Sequence, residues 1–273
     1  MNKILIPTDF SEGAFNALIH GLNLAKMMDG SISIVHAYSM PPTGSNVMVD
    51  ISDILKKNAE EELTTLEERV SGLELAKGVN IEYSSSYGSV VDVVNRKSND
   101  ENIDMVIMGT QGASGITEKW LGSNTAAAAR NVNIPLLAIP AEKPFMGIEN
   151  ILFSTDMNVI KKEGPLSFVA ELAKKADAKV KFVHIRDSEQ HDDSEDQAFK
   201  DQVQRLCGDL NPDYTFIQND AVEKGIEEAI EKEKPSMLVM VRHEYGFFES
   251  IWHSSVTRSI LNSASLPILV LNG

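Results

Sequence analysis

The segment from Ile107 to Ala129, IMGTQGASGITEKWLGSNTAAAA, gathers residue types suited to holding a polyphosphate. Two residues separate Gly109 from Gly112, nine separate Gly112 from Gly122, and Ser123, Asn124 and Thr125 follow at once. Glycine after an apolar run lets the backbone take positive φ and turn its N–H groups inward, so Gly109 is expected to open an anion-holding concavity. Gly122 stands where the helical pattern SNTAAAARN begins. Without a side chain it lets a phosphate approach the free N–H groups of the first turn, and Ser123 and Thr125 add hydroxyl donors. Each such helix-end interaction contributes about 0.3–1 kcal/mol, or up to about 2 kcal/mol when partly buried, so several oriented donors are needed. Loop punctuation is the other reading of these glycines, and Lys119 and Arg130 read as nearby cations or as solvated surface charge.

Other chemistries find little support. No G-x-x-x-x-G-K-[ST] loop occurs, and no G-x-G-x-x-G opens a helix after a strand. Cys207 is the only cysteine, which excludes an intramolecular disulfide and a thiolate metal cluster; in VQRLCGDL it reads as part of an apolar helix face. The acidic run RDSEQHDDSEDQ (Arg186 to Gln197) reads as a solvated loop rather than a cation trap, and no metal site is expected. Nothing resembles a nucleophile with its base and orienting acid. The formal charge of -15, from 25 basic and 40 acidic residues, argues against a nucleic-acid surface or an anionic membrane as partner. MNKILIPTDF is too short an apolar run for a signal peptide, and no segment reaches the roughly 18 apolar residues of a membrane span. A cytoplasmic location is the expectation.

The elements that must position these residues come in two sets. KILIPTD (Lys3 to Asp9) returns as NILFSTD (Asn150 to Asp156), and ISIVHAY (Ile32 to Tyr38) as VKFVHIR (Val180 to Arg186). DMVIMGTQ (Asp104 to Gln111) returns as SMLVMVRH (Ser236 to His243), NIPLLAIP (Asn133 to Pro140) as SLPILVLN (Ser265 to Asn272), and Trp120 falls on Trp252. Landmarks repeated in one order mean a duplication. A chain of 273 residues suits two domains, here residues 1–142 and 148–273, joined near the Pro- and Gly-containing AEKPFMG. In the first copy, apolar runs at Lys3 to Pro7, Ser31 to Ala37, Ile81 to Ser86, Met105 to Met108 and Leu136 to Ile139 predict five strands. They alternate with helical patterns such as Ser11 to Met28, where Ala14, Leu18, Leu22 and Ala25 repeat every three to four residues. Strands apolar on both faces imply two tandem α/β domains, each a doubly wound parallel five-stranded sheet with helices on both faces. Ligands of such sheets bind beyond the carboxyl ends of the strands, where PTDFS and GTQG both fall. His36 and His184 occupy equivalent strand positions, which suggests a shared packing or hydrogen-bonding role.

The glycine spacing with Ser123, in this strand context, and PTDFS after the first strand together resemble the universal stress protein family, once per half, in the manner of its tandem members. The resemblance implies an adenine-nucleotide alpha hydrolase-like fold with an ATP site in the first half. By it, Pro7, Thr8 and Asp9 approach the ribose or adenine, Ala37 meets adenine, and Gly109, Gly112, Gly115, Gly122, Ser123, Asn124 and Thr125 take the phosphates, with Mg2+ accompanying the nucleotide. Read from the residues alone, Asp9 is a helix cap, since Asp9 and Glu12 have capping-box-like spacing, and Ala37 is an ordinary buried strand residue. Related ATP pyrophosphatases carry a Gly- and Ser-rich loop where this chain has PTDFSEG, which subtracts adenylating enzymes. The implied function is ATP binding as a conformational or assembly signal in a stress response, with turnover slow or absent. A nucleotide-free interaction scaffold and a weak ATPase or self-phosphorylating protein are the alternatives. The family also implies pairing through the last strands, which the two halves of a tandem member can imitate; a pseudo-twofold monomer able to pair again as a homodimer through strand edges is the expectation, and PLLAIP and PILVLN are suited to it.

The second copy breaks the pattern. Val241, Glu244 and Ser254 stand where the first has Gly109, Gly112 and Gly122, while Asp156, Ser255 and Thr257 survive. Valine does not readily adopt a glycine turn, and a carboxylate at Glu244 would face the phosphates. The second domain is therefore expected not to bind ATP in the family manner. HEYGFFESIWH reads as core or interface packing, with an apolar ligand pocket as the other reading.

Overall fold

Strands that are apolar on both faces need cover on both faces, and the computed structural model supplies it in each of two units. It describes residues 3–40, 49–110, 122–155, 163–186, 193–242 and 266–272. Gly112, Gly115, Lys119, Trp120, Asp156, Glu244, Ser254, Ser255 and Thr257, and the segment HEYGFFESIWH, lie outside the described residues. One unit comprises the described residues up to Phe145, the other those from Met146 onward.

The first unit runs β1 (Lys3–Thr8), α1 (Glu12–Met28), β2 (Ser31–Tyr38), α2 (Val49–Ser71), β3 (Ile81–Tyr87), α3 (Val90–Asp100), β4 (Met105–Gly109), α4 (Ser123–Asn131) and β5 (Leu136–Ile139). Its strands lie in the order β3-β2-β1-β4-β5, and every pairing among them is parallel. Right-handed crossovers in that order put α1 and α2 on one face and α3 and α4 on the other. Ile4, Leu5 and Ile6 are each at most 1% exposed. Full burial of such a side chain contributes about 1.5–3 kcal/mol, which is why this short strand sits at the centre of the sheet. Strand order reverses between β1 and β4, and open α/β sheets bind ligands at that point.

The second unit repeats the scheme with β6 (Asn150–Thr155), α5 (Gly164–Ala176), β7 (Lys179–Arg186), α6 (Asp193–Cys207), β8 (Asp213–Gln218), α7 (Val222–Glu233), β9 (Met237–Arg242) and β10 (Ile268–Asn272). Its order is β8-β7-β6-β9-β10, again parallel. The corresponding helices end alike, α1 on Asp29 and α5 on Asp177, both in the left-handed conformation at φ 53°. Cys207 is buried on α6, as its apolar setting predicts, and burial pushes its thiol up to about 11.

The start of α1 differs from expectation. Ser11, rather than Asp9, caps the helix: its Oγ accepts from the Ala14 N–H at 3.2 Å. Asp9 stands one step back, its Oδ1 accepting from the Ser11 N–H at 3.2 Å and from the Ser11 hydroxyl at 2.6 Å. The intervening Phe10 makes this possible by taking the left-handed conformation at φ 63° and donating its N–H to Thr8 Oγ1 at 3.0 Å. Glu12 pairs instead with Arg69 of α2 through two bonds of 2.9 and 3.0 Å, so no reciprocal Asp9–Glu12 box forms.

Candidate functional site

At the reversal point of the first unit, beyond the carboxyl ends of β1, β2 and β4, lies a cavity of about 350 Å³. That is within the usual range for small-molecule sites, about 300–1,000 Å³. β1 contributes Pro7, Thr8 and the adjoining Asp9; β2 contributes His36 and Ala37; β4 contributes Met108 and Gly109; the first turn of α4 with its cap contributes Gly122, Ser123, Asn124 and Thr125. Ala14 of α1 and Val90 of α3 complete the wall. Nine of the expected site residues thus line one cavity, and Gly112 and Gly115 fall outside the described residues.

The two described glycines of the motif have different tasks. Gly109 does not take positive φ; among the described glycines that belongs to Gly78, Gly88 and Gly147. It is needed for a close approach, because a Cβ there would lie 2.7 Å from the Gly13 carbonyl oxygen in the first turn of α1. Gly122 is the N-cap of α4 and makes no side-chain capping bond, so the N–H groups of Ser123, Asn124 and Thr125 are left facing outward from the helix end. Its own N–H donates to the Thr110 carbonyl, drawing the end of β4 and the start of α4 together.

Thr125 departs from its expected role as a hydroxyl donor to phosphate. It is buried, and its Oγ1 donates to the Gly109 carbonyl at 2.7 Å, so its hydroxyl proton is spent within the protein. Among the described residues that line the cavity, Asp9 supplies the one carboxylate and His36 the one imidazole, and none is lysine or arginine. What these described residues offer an anion is therefore backbone dipoles.

His36, Ala14, Met108 and Val90 line the cavity without having been singled out as ligand contacts. Only His36 left a trace in the sequence, through its repetition as His184. Its Nδ1–H donates to the Thr8 carbonyl at 2.8 Å, and the Phe10 ring packs on it, tilted by 30° with centroids 4.5 Å apart. His184 does the same to the Thr155 carbonyl at 2.9 Å. The bond survives where the glycine motif is lost, so it belongs to the fold, tying the ends of neighbouring strands. Val90 gives no local sign: Ser89 caps α3 by accepting from the Asp92 N–H, and only the sheet topology brings that cap near Gly122.

In the second unit two of the described matching places carry larger side chains. Ile185 stands in the position of Ala37, and its side chain reaches α7 so closely that a Cβ on Gly225 would fall 2.6 Å from it. Val241, in the position of Gly109, is 2% exposed. The aromatic pocket near Thr155, His184 and Phe216 leaves no room for a water-sized molecule.

The sequence and the fold both have known counterparts. The model of the Universal stress protein family matches residues 1–140 and again 147–272. A universal stress protein of Methanocaldococcus jannaschii is 27% identical over 147 residues, covering 52% of this chain and 83% of that protein. Universal stress protein G of Salmonella typhimurium is 28% identical over 142 residues, covering 50% of this chain and 96% of its own. The crystal structure of a universal stress protein from Archaeoglobus fulgidus superposes on 99% of this chain and 96% of that one, with a TM-score of 0.72 and 21% identity, a likeness of fold.

Proposed function

The chain belongs to the universal stress protein family, matched in both halves, and on that premise we propose that its first unit binds ATP as a conformational or assembly signal. The observation that carries this reading is the cavity at the β1–β4 reversal, closed on one side by the uncapped amino end of α4. A nucleotide fits its polarity gradient. Three outward N–H groups and the Ser123 hydroxyl face the phosphates, Asp9 and Thr8 stand at the ribose, and Ala37 and Val90 form an apolar seat for the base. Such dipoles contribute about 0.3–2 kcal/mol each, and Mg2+ carried in with the triphosphate offsets charge that the protein leaves unpaired.

The second unit takes no nucleotide in this reading, because the larger Ile185 stands where the first unit has Ala37, and Val241 cannot reproduce the close strand–helix approach that Gly109 permits. Residues 1–142 and 148–273 then form a binding domain and a partner domain. Turnover is slow or absent in this reading, since the described residues of the cavity wall include no nucleophile bonded to a base. Among the described residues no helix is long and apolar enough to cross a membrane; a cytoplasmic setting and pairing of copies through strand edges complete the proposal.

Heating the purified protein and separating the supernatant by anion exchange, followed by calorimetric titration with Mg-ATP, tests the reading. Adenine nucleotide in the supernatant or saturable uptake is expected, and Gly122→Val abolishes it, because its branched side chain stands at the helix end where a phosphate must approach the N–H groups, with the Thr110 carbonyl 3.1 Å from its Cβ on the other side. Neither release nor uptake in the parent chain would leave the scaffold reading standing.

A further inference from the structure

Thr125 stands where three elements meet. The Gly109 carbonyl ends β4 and accepts the Thr125 hydroxyl at 2.7 Å. One residue on, the Thr110 N–H donates to Ile139 of β5 at 2.8 Å, and the Thr110 carbonyl accepts the Gly122 N–H. From the opposite side α1 packs against Gly109 with no space for a methyl group. The first turn of α4 is thus fastened to the strand end by one buried side-chain bond and one backbone bond, on either side of residues 111–121.

From this geometry we infer that Thr125 is a positioning residue for phosphate. It does not touch the ligand through its hydroxyl; it holds the amino end of α4 in register with β4, so that the N–H groups of residues 123–125 converge on one place in the cavity. The inference rests on the nucleotide reading given above and names what makes its phosphate end work. Two properties single out Thr125. It is 3% exposed, so its hydroxyl has no water to turn to, and the carbonyl it satisfies lies at the strand end, beyond which Thr110 leaves the strand. Valine matches threonine in shape but lacks the donor, so Thr125→Val leaves the Gly109 carbonyl unpaired and frees the helix end to shift. A displacement of preorganised donors weakens what they bind with little effect on groups held elsewhere. The loss must therefore fall on phosphates and spare the nucleoside, which is seated by β1, β2 and α3.

The test is a ladder of affinities for adenosine, AMP, ADP and ATP, measured by calorimetry on the full chain, the nucleotides with Mg2+. The parent chain is expected to bind ATP more tightly than adenosine. In Thr125→Val the ATP affinity falls about tenfold, a change worth one decade of dissociation constant, while adenosine changes less than about twofold; Thr125→Ser, which restores the hydroxyl, restores the ladder. Thermal melting checks that each variant is folded, and Thr125→Ala, smaller and free of crowding, takes the place of valine if that variant does not fold. Equal losses for adenosine and ATP would reduce Thr125 to a packing residue and overturn the inference, and so would an unchanged ladder in Thr125→Val. A parent chain that binds neither adenosine nor ATP overturns the nucleotide reading itself, and the inference with it.

Discussion

Gly109 and Gly122 are both spoken for by space, though to different degrees. A Cβ at Gly109 would press on backbone, 2.7 Å from the Gly13 oxygen and 2.9 Å from its carbon, and a helix backbone does not yield as a flexible side chain does. At Gly122 the nearest atom, the Thr110 oxygen, is 3.1 Å away, and a shift of a few tenths of an ångström relieves the contact. Gly109→Ala is therefore expected to destabilise the first unit by about 1–3 kcal/mol, the usual cost of overpacking, whereas Gly122→Ala costs less than about 1 kcal/mol. Urea titration followed by circular dichroism measures both, and equal costs would contradict the contact geometry. The residue types at these places were legible in the sequence, but their reasons were not. The spacing suggested a positive φ at Gly109, a phosphate donor in Thr125 and a cap in Asp9, whereas the structure shows a close approach, a fastener and a support for the Ser11 cap.

At the scale of elements, α1 does more than cover the sheet. Its amino end meets Gly109, and one and two turns further on Asn16 and His20 hold the chain that leaves β5. Asn16 Nδ2 donates to the Pro140 and Lys143 carbonyls at 3.1 and 2.8 Å, His20 Nε2–H donates to the Lys143 carbonyl at 3.0 Å, and Phe145 meets the His20 ring edge-on at 5.2 Å. Burial holds the His20 imidazole below its ordinary value, against the opposing pull of the Lys143 carbonyl. Below a pH of about 6.5, the unperturbed histidine value, the unfolded chain takes up this proton before the folded one does. Stability therefore falls as pH drops from that value through the lower folded one, and is insensitive to this group above it. His20→Gln, which keeps a donor but does not titrate, is expected to show a shallower loss between pH 7 and pH 5 in urea midpoints; identical slopes would show that His20 is not buried in the way described. The strands and α1 were readable because apolar periodicity records burial directly. The hold of Asn16 and His20 on residues 140–143 left no such mark, because an asparagine and a histidine on a helix carry no record of the carbonyls opposite them.

At the scale of the whole molecule, duplication gave two units of one topology, and among the described residues the first lines a cavity of about 350 Å³ at its reversal point. The consequence is stoichiometric: calorimetry is expected to give one ATP per chain, and two equivalent sites would show that the changes to Ile185 and Val241 do not disable the second unit. The sequence by itself determined the family, the repeat, the strand and helix succession and nine of the residues gathered at the reversal of strand order. Each of these is written in local composition, period and spacing, which are properties of neighbouring residues. Only the tertiary structure decided which donors stay open to a ligand, which glycine avoids a clash and which threonine is already bonded, because those outcomes depend on atoms from distant parts of the chain that folding brings within about 3 Å of one another.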